Sequence, residues 1–305
     1  MNLVTRSDFD GLACATVLKE VGLIDTWTFV HPKDLQDGKI EVTANDVLTN
    51  VPFVPGCGLW FDHHSSEEER VLRKGADYKG ESRVEKSAAR IVYEYYGGKR
   101  KMPHFAKMIT AVDAVDSGDL DVYDILNPSG WILLGFLMDP RTGLGRYRDF
   151  RISNYALMEK LIEDCRINDI EEILSDYDVK ERIEKYDEQN NLFKIMLLEH
   201  SKVHGNCIVT DLRDVSPIYT GNRFLVYAVY PEQNISIWIV DGRAKQNVSI
   251  AVGHSILQRT SGTDVGSLML KYGGGGHHQV GTCQVPYNDC DKVVGEILAK
   301  INEDG

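Results

Sequence analysis

The sequence predicts an α/β protein: an N-terminal domain on a mostly parallel, Rossmann-like sheet, a helical connector, and a smaller C-terminal α/β domain. Three observations predict it. Short apolar runs alternate with helical segments over the first half of the chain. Residues 151–200 then place Val179, Ile183, Tyr186, Phe193 and Leu197 at helical spacing among charges. From about residue 203 the composition turns β-rich again. The expected divisions are 1–178, 179–202 and 203–305.

With 305 residues, 43% of them hydrophobic and 26% charged, the chain has the composition of a soluble globular protein with ample core. No apolar run approaches the ~20 residues of a membrane span, and Met1-Asn2-Leu3-Val4-Thr5-Arg6 lacks a signal-peptide layout. Six scattered cysteines form no CxxC pair, so a reduced, cytoplasmic chain is expected. The net charge of -12 excludes a broad surface for long duplex nucleic acid. Much of that charge sits in residues 159–200, which read as a solvated helical face.

Taken in order, Leu3-Val4-Thr5 starts a strand, Arg6 to Gly11 form a loop, and Leu12 to Lys19 read as a helix closed by Gly22. Asp8 and Asp10 stand two apart at that helix N-terminus, where the helix dipole favours acids and where two carboxylates can also serve a metal. Further strands are expected at Thr26–Val30, ending before His31, and at Asp46–Val51, ending on Asn50. A fourth, Trp60-Phe61, runs into Asp62-His63-His64. Carboxylate and neutral imidazole are ligands that a divalent transition metal takes, although a hydrogen-bonded strand terminus would look the same. In open α/β sheets ligands sit at the carboxyl ends of strands, and these residues all fall there. A polar stretch is expected from Ser65 to Ser82. Helices are expected at Ser87–Tyr96 and Phe105–Val112, the second running into Asp113 and Asp116, one turn apart.

In the C-terminal part, strands are expected at Val203–Val209, Phe224–Tyr230, Ile235–Val240 and Val248–Val252, with helices at Val265–Tyr272 and Lys292–Ile301. Between them Gly273-Gly274-Gly275-Gly276-His277-His278 reads as a loop whose glycines have no packing value and whose backbone N–H groups suit an anion.

Asp-x-Asp-Gly at the start, Asp62-His63-His64, a later Asp116-Ser117-Gly118 and the Gly-Gly-Gly-Gly-His stretch occur in the order seen in the DHH phosphoesterase superfamily, which the chain resembles over nearly its whole length. The C-terminal part resembles the DHH-associated substrate domain. That resemblance implies up to two Mn(2+) ions, with Mg(2+) as the alternative, about 3.5–4 Å apart and bracing a phosphoryl group. It implies Asp8, Asp10, His63 and Asp116 as metal ligands, with Asp113 as rival to Asp116. His64 would face the substrate phosphate, Asp62 would orient the imidazoles, and Arg6 is a candidate phosphate contact. Gly274, Gly275, Gly276, His277 and His278 match the substrate-binding turn; Arg259 and Lys271 join them on charge alone.

Two departures stand out. Val4 occupies the position of a family histidine, and Asn50 that of the bridging aspartate. The expected activity is hydrolysis of a small phosphorylated substrate, a short oligonucleotide or nucleotide phosphomonoester. The alternatives are an exopolyphosphatase-like hydrolase of phosphoanhydrides and a nucleotide- or phosphate-binding protein with weakened catalysis. No membrane partner is expected, and a homodimer is the assembly guessed at.

Overall fold

In the computed structural model, which describes residues 1–64 and 77–305, the chain divides into two units. One comprises residues 1–119 and 128–186, the other residues 120–127 and 187–305. The division falls within the helix Tyr177–His200.

The first unit is built on β1 (Asn2–Arg6), β2 (Thr26–Val30), β3 (Asp46–Thr49), β4 (Leu59–Asp62) and β5 (Gly80–Ser82), in the order β2-β1-β3-β4-β5. Every pairing in it is parallel. Val4, Leu48 and Trp60 point to one face and pack with Val30, Leu35, Val51 and Phe53. By the two-residue period of a strand, Leu3, Val47 and Phe61 point to the other, where Phe61 meets Tyr95 edge-on at 5.0 Å. The helix Phe9–Glu20 is buried from Phe9 to Leu18, against the helices Ala88–Tyr95, Ala106–Ser117 and Asn154–Ile167. A helix covered on all sides needs no polar stripe, which explains its uniform sequence Leu12-Ala13-Cys14-Ala15.

Strand register aligns the ends of β1, β3 and β4. Thr5 pairs with Thr49 and Thr49 with Phe61, so Arg6, Asn50 and Asp62 come level at the carboxyl edge of three neighbouring strands. Thr5 Oγ1 donates to Thr49 O at 2.9 Å and Thr49 Oγ1 to Thr5 Oγ1 at 2.8 Å, so both buried hydroxyls are satisfied beneath that edge.

Two local expectations shift here. The first helix starts at Phe9 rather than Leu12, because Asp8 caps it by accepting from Gly11 N at 2.9 Å. Asp10 therefore sits in its first turn and not in a loop. Most of the polar stretch expected over Ser65–Ser82 lies outside the described residues; its end forms β5, a strand too short and polar to stand out in the sequence.

The second unit carries β6 (Ser201–His204), β7 (Cys207–Asp211), β8 (Ile235–Asp241), β9 (Val248–His254), β10 (Gly275–His277) and β11 (Val280–Val285). Their order is β10-β11-β9-β8-β7-β6, with β7 and β8 parallel and the other pairs antiparallel. Ile235, Ile237, Ile239, Ile250 and Val252 form its core with Val265, Met269, Ile297 and Ile301 from two helices.

The segment Phe224–Tyr230 is not a strand. Leu225–Val229 is a short helix whose entry is held by Asn222, which accepts from Phe224 N at 2.9 Å. A continuous apolar run carries no period that separates buried strand from buried helix. The glycine run also differs from expectation, since Gly275–His277 is a strand at the sheet edge. A Cβ on Gly274 would clash with Thr282 O and one on Gly276 with Val280 O. Contrary to the expectation of glycines without packing value, these two have a packing reason, close approach to β11. Among the described residues, no helix is long and apolar enough to cross a membrane.

Candidate active site

The carboxyl edge of the parallel sheet and the N-termini of two helices meet around Asp10. Gly11 allows that meeting, because any Cβ there would run into the carbonyl oxygen of Arg6 at the end of β1. The Asp10 carboxylate accepts from Ala88 N at 3.0 Å through Oδ2 and from Ala89 N at 2.7 Å through Oδ1, the first N–H groups of the helix Ala88–Tyr95. Ser87 starts that helix by capping Arg90 N.

His63 comes directly after β4. Its Nδ1 meets Glu85 O at 3.2 Å; donating there fixes the tautomer and leaves Nε2 as the lone-pair nitrogen. Nε2 is buried without a hydrogen-bond partner, 3.3 Å from Asp116 Oδ2 and 3.8 Å from Asp10 Oδ2. Asp116 arrives from the helix Ala106–Ser117, which continues through both Asp113 and Asp116 before Gly118 ends it in left-handed geometry. Ligand atoms of Asp10, His63 and Asp116 lie within 4.8 Å of one another.

Electrostatics say what this cluster lacks. Burial first, then the charges of Asp116 and Asp8, push the Asp10 carboxyl well above the carboxylate range, against the two backbone donors. Asp8 is likewise raised, chiefly by burial, with Arg6 opposing. Converging buried carboxylates beside an imidazole lone pair fit a divalent cation, which would neutralise the former and satisfy the latter.

Asp113 has another partner. Ser87 Oγ donates to its Oδ1 at 2.7 Å, and Arg90 grips its Oδ2 through Nε at 2.9 Å and Nη2 at 2.5 Å. Asp113 thus ties two helices together, one turn away from the cluster. Asp62, fully buried, accepts from His64 N at 3.2 Å through Oδ2 and engages His64 Nδ1 at 3.0 Å through Oδ1. Burial alone would lower the His64 pKa, but the hydrogen bond and charge of Asp62 outweigh it and raise the imidazole.

Asp8 has different company. Its Oδ1 accepts from Gly11 N at 2.9 Å and from Asn50 Nδ2 at 3.1 Å, while Arg6 Nε stands 3.0 Å from Oδ2. Asn50 reaches Asp8 from a positive φ of 54°, a conformation that Asn adopts more readily than most residues. Val4 is 2% exposed inside the apolar cluster and offers no ligand atom. His31, at the end of β2, caps the helix Pro32–Gln36 through Nδ1 instead of approaching the cluster.

Sequence reasoning missed Asp139 and Arg141. They line a small cleft with Asp8, Asp10 and Asp116. Arg141 Nε donates to Asp139 Oδ1 at 2.8 Å, and the guanidinium faces Asp8 and Asp116 closely enough to feel both charges. Nothing in Asp139-Pro140-Arg141-Thr142 marks these residues, because chain reversal after the helix Gly130–Met138 brings them back.

In the second unit, Gly274, Gly275 and Gly276 approach β11, and His277 and His278 are exposed at the turn before it. His278 stacks edge-on against His254 at 5.8 Å, a histidine without any sequence signal. Arg259 donates Nε to Ile256 O at 2.9 Å on the surface, and Lys271 ends the helix Val265–Leu270.

No protein-family model and no curated protein matches the chain. Solved structures do. The chain is 48% identical to a pGpG-specific phosphodiesterase, PggH from Vibrio cholerae, covering 100% of this chain and 99% of that one at a TM-score of 0.86. An exopolyphosphatase-related protein from Bacteroides fragilis shares the fold at a TM-score of 0.52, with 13% identity, 99% of this chain and 92% of that one covered. Near-complete coverage at that first identity, on a sheet at whose carboxyl edge Asp8, Asp10, Asp62, His63 and His64 gather with Asp116 from a neighbouring helix, places the chain in the DHH phosphoesterase superfamily.

Proposed function

We propose that this chain is a metal-dependent phosphodiesterase that hydrolyses a short linear oligonucleotide, with a dinucleotide of the pGpG type as its best substrate. Full-length similarity to a phosphodiesterase named for pGpG carries the substrate class. The cluster of Asp10, His63 and Asp116 supports the chemistry.

Asp10, His63 and Asp116 would hold a divalent ion, with Mn(2+) favoured because imidazole beside carboxylates suits it better than Mg(2+). When bound, such an ion stabilises charge on the phosphoryl group and makes water a stronger nucleophile. Around it the chain's own groups do separate work. Glu85 O orients His63, and the N-terminus of the helix Ala88–Tyr95 orients Asp10. Asp62 holds His64 by Nδ1 and favours its protonated form, which suits contact with a phosphate oxygen. Arg6, about a third exposed, and Arg141 bring positive charge to the same edge. Asp116 is the assigned ligand and Asp113 is not, because Arg90 and Ser87 already engage both oxygens of Asp113. In the second unit, Gly274, Gly275, Gly276, His277 and His278, with Arg259 and Lys271, are the proposed substrate contacts.

A manganese-supplemented hydrolysis panel tests this. It should cover linear dinucleotides, pAp, cyclic dinucleotides, pyrophosphate and polyphosphate. Linear dinucleotides should be cleaved fastest and Asp10→Ala should abolish turnover. Preference for pyrophosphate or polyphosphate, or undiminished turnover by Asp10→Ala, would overturn the reading.

A further inference from the structure

We propose that the chain holds a single divalent ion, at Asp10, His63 and Asp116, and that the guanidinium of Arg6 and the amide of Asn50 neutralise Asp8 in place of a second ion. The inference rests on the proposed hydrolase reading and deepens it.

A second ion beside Asp8 needs ligands beyond one carboxylate. The two positions where the family pattern would place further ligands, Val4 and Asn50, do not supply them, and among the described residues Asp8 joins no cluster of three converging ligand atoms. Val4 is sealed in the apolar cluster with Leu48 and Trp60. Asn50 turns its amide, not its carbonyl, toward Asp8: Nδ2 donates to Oδ1 at 3.1 Å, so the side chain already acts as a hydrogen-bond donor where a cation would want an acceptor. The amide orientation is set by the acceptor it faces, since an ionised carboxylate accepts only. Gly11 N takes the same oxygen at 2.9 Å. The remaining oxygen, Oδ2, faces Arg6 Nε at 3.0 Å.

A guanidinium stays charged under all working conditions and cannot yield its place by deprotonating. Placing a dication beside it would set like charges against each other in a site where Asp8 is 5% exposed. The neighbouring cluster is the reverse case. His63 Nε2 and Asp8 Oδ2 are both buried without a hydrogen-bond partner, but Asp8 Oδ2 has the Arg6 guanidinium at 3.0 Å, whereas Asp10 and Asp116 have no arginine within ion-pair distance among the described residues. One half of the site is prepared for a metal and the other half already contains its positive charge.

Metal counting on the full chain decides the matter. Metal-free protein would be dialysed against saturating Mn(II), its manganese measured per chain, and its low-temperature electron paramagnetic resonance spectrum recorded. The expectation is about one ion per chain with the spectrum of an isolated Mn(II). About two ions with an exchange-coupled spectrum would overturn this inference and leave the hydrolase reading standing. No bound ion would overturn both. The variant Arg6→Gln with Asn50→Asp should gain a second ion, as a carboxylate replaces the amide and the guanidinium leaves. A folded variant that still binds one shows that these residues do not exclude the second ion, which also overturns the inference. If circular dichroism shows that the pair does not fold, Asn50→Asp alone, isosteric and tolerant of the same φ, is counted in its place.

Discussion

His63 Nε2 lies 3.3 Å from Asp116 Oδ2, although the two residues are separated by fifty-three positions and stand on different elements. An imidazole lone pair facing a carboxylate oxygen is repulsive unless something positive joins them. Replacing either group should therefore remove metal before it disturbs the fold. His63→Ala and Asp116→Asn should each lower manganese affinity by at least ~100-fold and turnover by a similar or larger factor. Calorimetric titration with Mn(II), beside a thermal melt of the apo protein, checks this; unchanged affinity in both variants would exclude the cluster as a metal site.

Asp113 should behave differently. Arg90→Ala strips its bidentate partner and leaves a carboxylate about 10% exposed with one hydroxyl donor. The expected loss is about 2–3 kcal/mol, at the lower end for a broken buried pair because Arg90 keeps some contact with water. Urea unfolding measures it. Metal content of the folded variant should stay at the wild-type level.

Gly11 positions the motif, by its missing side chain and by the N–H that it donates to Asp8. Gly11→Ala drives a methyl into Arg6 O and should cost about 3 kcal/mol or more, since backbone on both sides must move. Because Asp8 and Asp10 flank it, turnover should fall as well, even at temperatures where the variant is folded. A variant as stable and active as wild type would show that the helix N-terminus yields without cost.

The glycine run offers a paired test. Gly276→Ala would strike Val280 O, whereas a Cβ on Gly275 meets nothing within 4 Å. Gly276→Ala should destabilise the protein by roughly 1–3 kcal/mol, and Gly275→Ala by under about 0.5 kcal/mol. If Gly275→Ala nonetheless raises KM for the dinucleotide without changing stability, the exposed edge of β10 contacts substrate.

His254 introduces a pH dependence. Its pKa is lowered, by burial first and by His278 in addition, against the carbonyl of Thr263 that Nε2 meets at 2.8 Å. The unfolded chain therefore takes up this proton before the folded one does. Stability from His254 is complete above the ordinary imidazole range and is lost as pH falls through ~6.5 toward the lower folded value. Relative to wild type, His254→Gln should flatten the fall in unfolding free energy between about pH 7 and pH 5. Parallel curves for the two proteins would exclude it.

How much of this is readable from the chain depends on the range of the interaction. The Asp-x-Asp-Gly motif, Asp62-His63-His64 and the alternating apolar runs are local patterns, and they suffice to expect a parallel sheet with acids and imidazoles at its carboxyl ends. Local patterns fail where the period is silent. Leu225–Val229 could be strand or helix until Asn222 turns the chain ahead of it by accepting from Phe224 N, and Gly274 and Gly276 look like loop until β11 is laid beside them.

By itself, the sequence determined the order of the chemistry-bearing residues, the parallel α/β class of the first unit and the two departures at Val4 and Asn50. Tertiary structure alone decided how those residues divide the work. Asp116, in Asp-Ser-Gly, is the better match in sequence and Asp113 its rival three residues earlier on one helix; Arg90 takes Asp113, and Asp116 reaches His63. Arg141, which lines the same cleft as Asp8, is likewise invisible in one dimension. Charge partners are set by distance through space, and strand register together with helix packing, not spacing along the chain, sets that distance.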